Sequence, residues 1–220
     1  MSQAGPRQFF WHGLRVPFIA PWSGERQIDV PLVKLPNLVG DGIAYADENP
    51  RVDRRHGTLW VRMPAVRGIG TPRLANVHAF RQRQAMSHML CQVCGRSTYG
   101  RQDERHLFLV AERQGTPIAE GERTAVPPVH EDCAAEALRD CPHLRRGAVA
   151  AWVEYASPWG VAGILHDPRT LAALPARTKE GLDYVPHGHP DLRWITAARD
   201  VVTLHGCTPI EVDQLMALAA

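Results

Sequence analysis

With 220 residues, 45% hydrophobic and 22% charged, the chain carries enough apolar material to bury a core in one domain or two small ones. No stretch approaches the ~18 apolar residues of a membrane span, and the N-terminal MSQAGPRQFFWHGL lacks a charged head followed by an apolar run, so a cytoplasmic protein with no membrane partner is expected. The net charge of +2 conceals an asymmetry: no Asp or Glu lies between Asp53 and Asp103, while nine arginines do, which leaves −7 for the remainder of the chain.

In chain order, the segment up to about residue 75 is punctuated by proline and glycine, with short alternating runs QIDVPLVKL (27–35) and TLWVRM (58–63) that predict strands. Asn76 to Leu90 contains neither Gly nor Pro and predicts a helix exposing Arg81, Gln82, Arg83 and Gln84. After residue 144, GAVAAWVEYA (147–156), a Ser157-Pro158-Trp159-Gly160 turn and VAGIL (161–165) read as a hairpin. WITAARDVVTLH reads as helical, ending at Gly206. Thr208 then reads as an N-cap, Pro209 as the first helical position and Glu211 as an acid in the first turn of a terminal helix. The expectation is an α+β protein in three parts: a β-rich N-terminal part with one helix (1–90), a central module (91–144) and a mixed C-terminal part (145–220).

The central module carries the strongest signal. Cys91-Gln-Val-Cys94-Gly95 places two thiolates within reach of one ion, with a glycine to relieve the turn that follows. His130-Glu-Asp-Cys133 repeats the spacing 36 positions downstream, after Pro127-Pro128 and at the start of a helix. In that helix Ala134, Ala137, Leu138 and Cys141 fall on one face, Glu131 and Asp132 suit the N-terminal end of the dipole, and Pro142 stops it. With HLFLVA (106–111) as a strand and Gly115 and Pro117 as a turn, the order is knuckle, hairpin, helix: a treble-clef-like arrangement around one structural Zn2+ held by Cys91, Cys94, His130 and Cys133. Cys141 lies roughly 12 Å along the helix from Cys133, too far for a sulfur ligand at about 2.3 Å, and is assigned with Cys207 to the interior.

LCQVCG (90–95) together with PPVHEDCAAEALRDCPHL (127–144) resembles a group of uncharacterised actinobacterial and phage proteins with a CxxC knuckle and a proline-rich lead into a short cysteine-bearing helix ending in Cys-Pro. The resemblance covers the central module and implies metal binding; it implies nothing about reaction or substrate.

Four protein ligands leave no open position for an activated water, so the predicted zinc is structural. HExxH is absent, and a deaminase would need His-x-Glu upstream of its CxxC, the reverse of the order here. A metal-dependent hydrolase or nuclease of His-Asn-His type is the alternative, with His106 as its catalytic histidine, although Ala134 and Ala135 stand where such enzymes place a further metal ligand. Asp183, His187, His189 and Asp191 form a second cluster in sequence that could hold a metal or be an ordinary loop. The leading expectation is a non-enzymatic zinc-binding protein that engages nucleic acid or an acidic protein surface. Its contacts would come from an arginine-rich face built from Arg54, Arg55, Arg67, Arg73, Arg81, Arg83, Arg96 and Arg101. Trp60, Phe80 and Tyr99 lie in the same interval and could stack on bases.

Overall fold

The structure, a computed structural model, describes residues 5–36, 41–111, 116–179 and 181–218. The N-terminal part supplies two short hairpins, β1 (Phe10–Trp11) with β2 (Leu14–Arg15) and β3 (Leu32–Leu35) with β4 (Gly42–Tyr45). A single helical turn, α1 (Pro50–Asp53), begins with proline at its first position and Asn49 as its cap, Asn49 Oδ1 accepting from the Arg51 N–H at 3.2 Å. It leads into β5 (Arg54–Arg55) and β6 (Thr58–Trp60). Helix α2 (Ala79–Ser87) lies within the expected 76–90, but Arg81 and Gln82, expected on its surface, are buried beside Ala79, Ala85 and Met86, and only partners elsewhere in the fold satisfy them.

Strand β7 (His106–Ala111), the two-residue β8 (Arg123–Thr124) and helix α3 (Glu131–Asp140) follow. The hairpin expected between the two ligand pairs is not formed among the described residues. β7 pairs instead with β9 (Ala148–Val153), which comes after α3, over six registered residue pairs from His106↔Val153 to Ala111↔Ala148. A one-turn 3-10 helix at Leu144–Arg146 joins α3 to β9.

The C-terminal part departs most from expectation. Ser157-Pro158-Trp159-Gly160 is not a turn but the first half of an eleven-residue strand, β10 (Tyr155–Leu165), with a bulge between Pro158 and Gly160. Proline is tolerated there because the other neighbour of β10, β11 (Asp183–Pro186), reaches only Gly160–Gly163, so Pro158 has a free edge and no ladder N–H to supply. A 3-10 turn at Pro190–Arg193 precedes WITAARDVVTLH, which is strand β12 (Ile195–His205) rather than helix. Its β-branched Ile195, Thr196, Val201, Val202 and Thr203 suit the pleated surface, and β10 alongside satisfies its backbone. The terminal helix starts later than predicted. Thr208–Ile210 forms edge strand β13 against β9, with Pro209 opposite Ala151, and α4 begins at Val212 and runs to Leu218.

The main sheet has the order β11-β10-β12-β6-β5, with β8 also paired to β12, and β12 to β6 is its parallel contact. A second sheet, β13-β9-β7, carries the central module. Pairing therefore runs across both residue 90 and residue 144. One core cluster joins Cys91, Val93, Leu107, Val129, Ala134, Leu138, Trp152 and Leu215, so α3 and α4 cover the second sheet where it meets the knuckle. No helix among the described residues is long and apolar enough to cross a membrane.

Candidate metal centre

The first ligand pair sits on a turn held by its own backbone. The Gly95 N–H donates to the Cys91 carbonyl and the Cys91 N–H to the Arg96 carbonyl, both at 2.8 Å, while Leu90 and Ser97 form a bridge beyond them. Gly95 is required twice over: its φ is +73°, and a Cβ there would lie 2.6 Å from Cδ2 of Phe18. The N-terminal chain crosses outside this turn, with the Phe18 N–H donating to the Val93 carbonyl at 2.8 Å.

The second pair is delivered by an extended lead-in. The Val129 N–H donates to the Leu107 carbonyl at 2.8 Å, and the Gln92 N–H to the Pro128 carbonyl at 2.9 Å, so β7 and the knuckle hold the residues just before His130 from two sides. His130 occupies the N-cap of α3 without capping it. Its Nε2 donates to the Ser97 carbonyl at 2.9 Å, which turns Nδ1 toward Cys94 Sγ at 3.3 Å. Cys133 follows in the first helical turn.

The four donor atoms of Cys91, Cys94, His130 and Cys133 all lie within 4.8 Å of one another and form a group that could hold a metal ion. Zn–S bonds of about 2.3 Å and Zn–N bonds of about 2.0–2.1 Å place tetrahedral donors roughly 3.5–3.8 Å apart; Cys94 Sγ and His130 Nδ1 are 3.3 Å apart and no pair of the four is more than 4.8 Å apart. The three cysteines are buried and His130 half-buried. Crowding drives their protonation apart: hydrogen bonding with Cys133 and Cys91 pulls the Cys94 thiol far down, while Cys91 and Cys94 push Cys133 up. The sulfurs of Cys91 and Cys94 raise His130 to about 10. Such a set of buried thiols is reconciled by a cation that takes the place of the missing protons. The His130–Ser97 hydrogen bond supplies the outer contact that fixes a metal-ligating imidazole. CxxC-G marks the knuckle in the sequence, but a backbone acceptor such as Ser97 leaves no side-chain signature.

Cys141 stands outside the cluster, as the helix rise requires, but it caps α3 half-buried rather than in the core, and Cys207 is likewise half-buried, its thiol raised to about 11 by burial. His106 does not open onto a substrate site. It is 4% exposed, burial lowers its pKa, and its Nδ1 lies 2.7 Å from Thr98 Oγ1. The Thr98 hydroxyl is already donating to the Met89 carbonyl, so Nδ1 is the donor and His106 braces the back of the knuckle. The second sequence cluster is not gathered. Asp183 is buried and accepts from Arg177 Nε at 2.9 Å, His189 Nδ1 accepts from the Asp191 N–H, and the His187 ring faces His56 at 6.5 Å. No second metal-competent group of three or more such side chains is present among the described residues.

The arginines are divided among separate tasks. Arg54 pairs with Glu48, Arg62 with Asp47 and Asp53, and Arg101 with Asp103 and Glu131. Arg81 is buried in a two-pronged pair with Glu25 at 2.6 and 2.7 Å. Burial alone would raise the Glu25 carboxyl, but Arg81 and the Trp22 N–H outweigh it and hold the pKa below its ordinary value. Arg67 lies over Phe9 and Phe18, with burial lowering its pKa to about 10. The guanidiniums of Arg55, Arg73, Arg83 and Arg96 form no carboxylate ion pair among the described residues. Arg83 stacks over Trp60 at 4.5 Å and lines one cleft, Arg73 lines a second, and Arg96 lines a third of about 610 Å³ beside the metal cluster. Of the three candidate stacking rings, Trp60 is buried, whereas Phe80 and Tyr99 are exposed.

No protein-family model, curated protein or solved structure matches the chain.

Proposed function

We propose that the protein holds one structural Zn2+ at Cys91, Cys94, His130 and Cys133, and that the fold stapled in this way is a cytoplasmic binding module for nucleic acid or an acidic protein surface. The observation that carries the metal reading is the gathering of three buried sulfurs and one oriented imidazole within 4.8 Å. Thiolate and imidazole donors gathered this closely select zinc, and four of them leave no position for substrate or activated water. A compartment that keeps thiols reduced suits such a site. The knuckle, strand β7 and the ligands in the first turn of α3 support a treble-clef-like reading, with β9 taking the place of the second hairpin strand.

The binding half of the proposal rests on the four arginines that form no direct carboxylate ion pair among the described residues, although Asp200 lies within electrostatic reach of Arg55 and Arg83. Arg83 and the exposed Phe80 lie together, which suits a phosphate with an adjacent base. Metal analysis of protein purified without added metal should give one zinc per chain, absent in Cys133→Ala. Titration of single-stranded nucleic acid against wild type and an Arg55→Ala/Arg83→Ala variant, at two salt concentrations, tests the partner. Affinity that falls with salt and with the double substitution supports nucleic acid; undetectable or salt-insensitive binding removes it. The metal-dependent hydrolase has no observation in its favour, since His106 is enclosed and the His187/His189 residues are apart.

A further inference from the structure

Away from the Cys3His group, one side chain each from β10 and β12 and a third from the turn before β8 form a hydrogen-bonded chain. Ser157 Oγ lies 2.9 Å from His205 Nε2, and His205 Nδ1 lies 3.2 Å from Glu120 Oε1. A carboxylate can only accept, so Nδ1 of the neutral ring carries the proton, Nε2 is the acceptor, and the Ser157 hydroxyl donates to it. That is the tautomer in which an imidazole can take a proton from a serine.

Each member is fixed by the fold. Ser157 is registered opposite Thr203, and His205 opposite Tyr155, so Ser157 and His205 are diagonal neighbours on one face of two long strands. The Tyr155 ring stacks on the imidazole, with centroids 4.5 Å apart and planes 15° apart, and so sets its orientation. Glu120 Oε2 accepts the Cys207 N–H at 3.2 Å, leaving Oε1 to the histidine. Trp159, two residues after Ser157, lies toward the same face, where Arg123, registered against Thr203 in the same cross-strand row as Ser157, lies over its ring at 4.5 Å. Tyr155 and Trp159 therefore flank the serine two residues to either side, and Arg123 is the cation of that row.

We propose that Ser157, His205 and Glu120 form an acyl-accepting site for small aryl esters, with Ser157 as nucleophile, His205 as general base and Glu120 as the residue that positions the base. Ser157 Oγ forms the new bond to the carbonyl carbon as its proton passes to His205 Nε2. The aryl oxide leaves with that proton, and water then hydrolyses the Ser157 ester by the same route, returning Oγ–H and releasing the carboxylic acid. The flanking rings supply the platform for the aryl group.

The test uses the metal-loaded full chain and a fluorophosphonate, which traps such a serine by forming an Oγ–P bond with loss of fluoride. Intact-mass and peptide analysis should show one adduct, on Ser157, and none in Ser157→Ala; 4-nitrophenyl acetate turnover should disappear in the same variant. His205→Gln should slow labelling by about 10²-fold or more. Glu120→Gln should lower the limiting inactivation rate while leaving its dependence on probe concentration unchanged, a split that a merely structural role would not produce. All three side chains are at least partly exposed, and unchanged circular dichroism and metal content will show that the variants fold. No adduct, an adduct elsewhere, or labelling at an undiminished rate in His205→Gln overturns the proposal.

Discussion

Nε2 of His130 donates to the carbonyl oxygen of Ser97, and that single hydrogen bond decides which face of the imidazole meets Cys94. His130 thereby offers Nδ1 to a metal ion at this site, held at the start of α3 by the backbone that leaves the knuckle. His130→Ala should weaken zinc affinity by at least the 10–100-fold known for the loss of an outer contact, whereas His130→Cys should keep the metal. Competition with a chromophoric chelator measures both.

Removal of the metal should unfold more than the knuckle. Cys91, Cys94 and Cys133 belong to the cluster that includes Leu107, Leu138, Trp152 and Leu215. A structural zinc contributes about 10–16 kcal/mol in small metal-folded domains, comparable to the entire stability of about 5–15 kcal/mol of an ordinary protein. Chelation should therefore abolish the cooperative thermal transition followed by circular dichroism, and added zinc should restore it. A transition unchanged by chelator would show that the apolar cluster suffices.

Gly95→Ala tests the knuckle without touching a ligand. The left-handed backbone costs about 1–2 kcal/mol for an L-residue, and the contact with Phe18 adds to this. A loss of stability of at least that size in urea titration, with zinc still bound, is the expected result.

The gathering of Cys91, Cys94, His130 and Cys133 was legible in the sequence because its signal is local: two CxxC-like spacings, a glycine and a helix start each lie within a few residues. The same locality made α3 readable. What escaped was whatever depends on a distant partner. The apolar, β-branched run of β12 is compatible with helix or strand, and only β10 some 40 residues earlier makes it a strand. Ser-Pro-Trp-Gly has turn composition but lies where β11 happens not to reach. The acid-free arginine stretch reads as one surface in the sequence because the acids that pair with it, Glu25, Asp47, Glu48 and Glu131 among them, lie outside the segment 54–102.

Arg81 and Glu25 illustrate the cost of such a partner. Arg81→Met leaves a fully buried carboxylate unpaired, and the loss of one member of a buried ion pair typically costs about 3–5 kcal/mol. Chemical denaturation should show a fall of that order, and adding Glu25→Gln should recover part of it. Equal stability for the single and double variants would mean that the pair is solvated in solution.

Acid should act through the same carboxylates. The Arg81 and Trp22 contacts hold Glu25 below its ordinary pKa, and the Arg62 hydrogen bond holds Asp53 below its own. A carboxyl lowered on folding stabilises above its unfolded pKa of about 4, and this contribution is lost as pH falls through the lower folded value. Stability measured against pH should thus stay level with respect to these groups from neutrality to about pH 5 and decline below about pH 4. Asp53→Asn should make that decline shallower.

Gln82 has a role that its place on α2 conceals. Its side-chain nitrogen donates to the carbonyls of Ala125 and Asp200, at 2.7 and 2.9 Å, and its oxygen accepts the Asp200 N–H at 2.9 Å. A carboxamide has the donors and acceptor of a peptide group, so the helix lends the edge of β12 a surrogate peptide where no strand continues the ladder. Ala125 lies five residues before His130, on the lead-in to the second ligand pair. One amide therefore links the long sheet to the approach to the Cys3His group: a disturbance there has a short covalent and hydrogen-bonded route to the middle of β12, and glutamate, which offers no donor, cannot replace the amide.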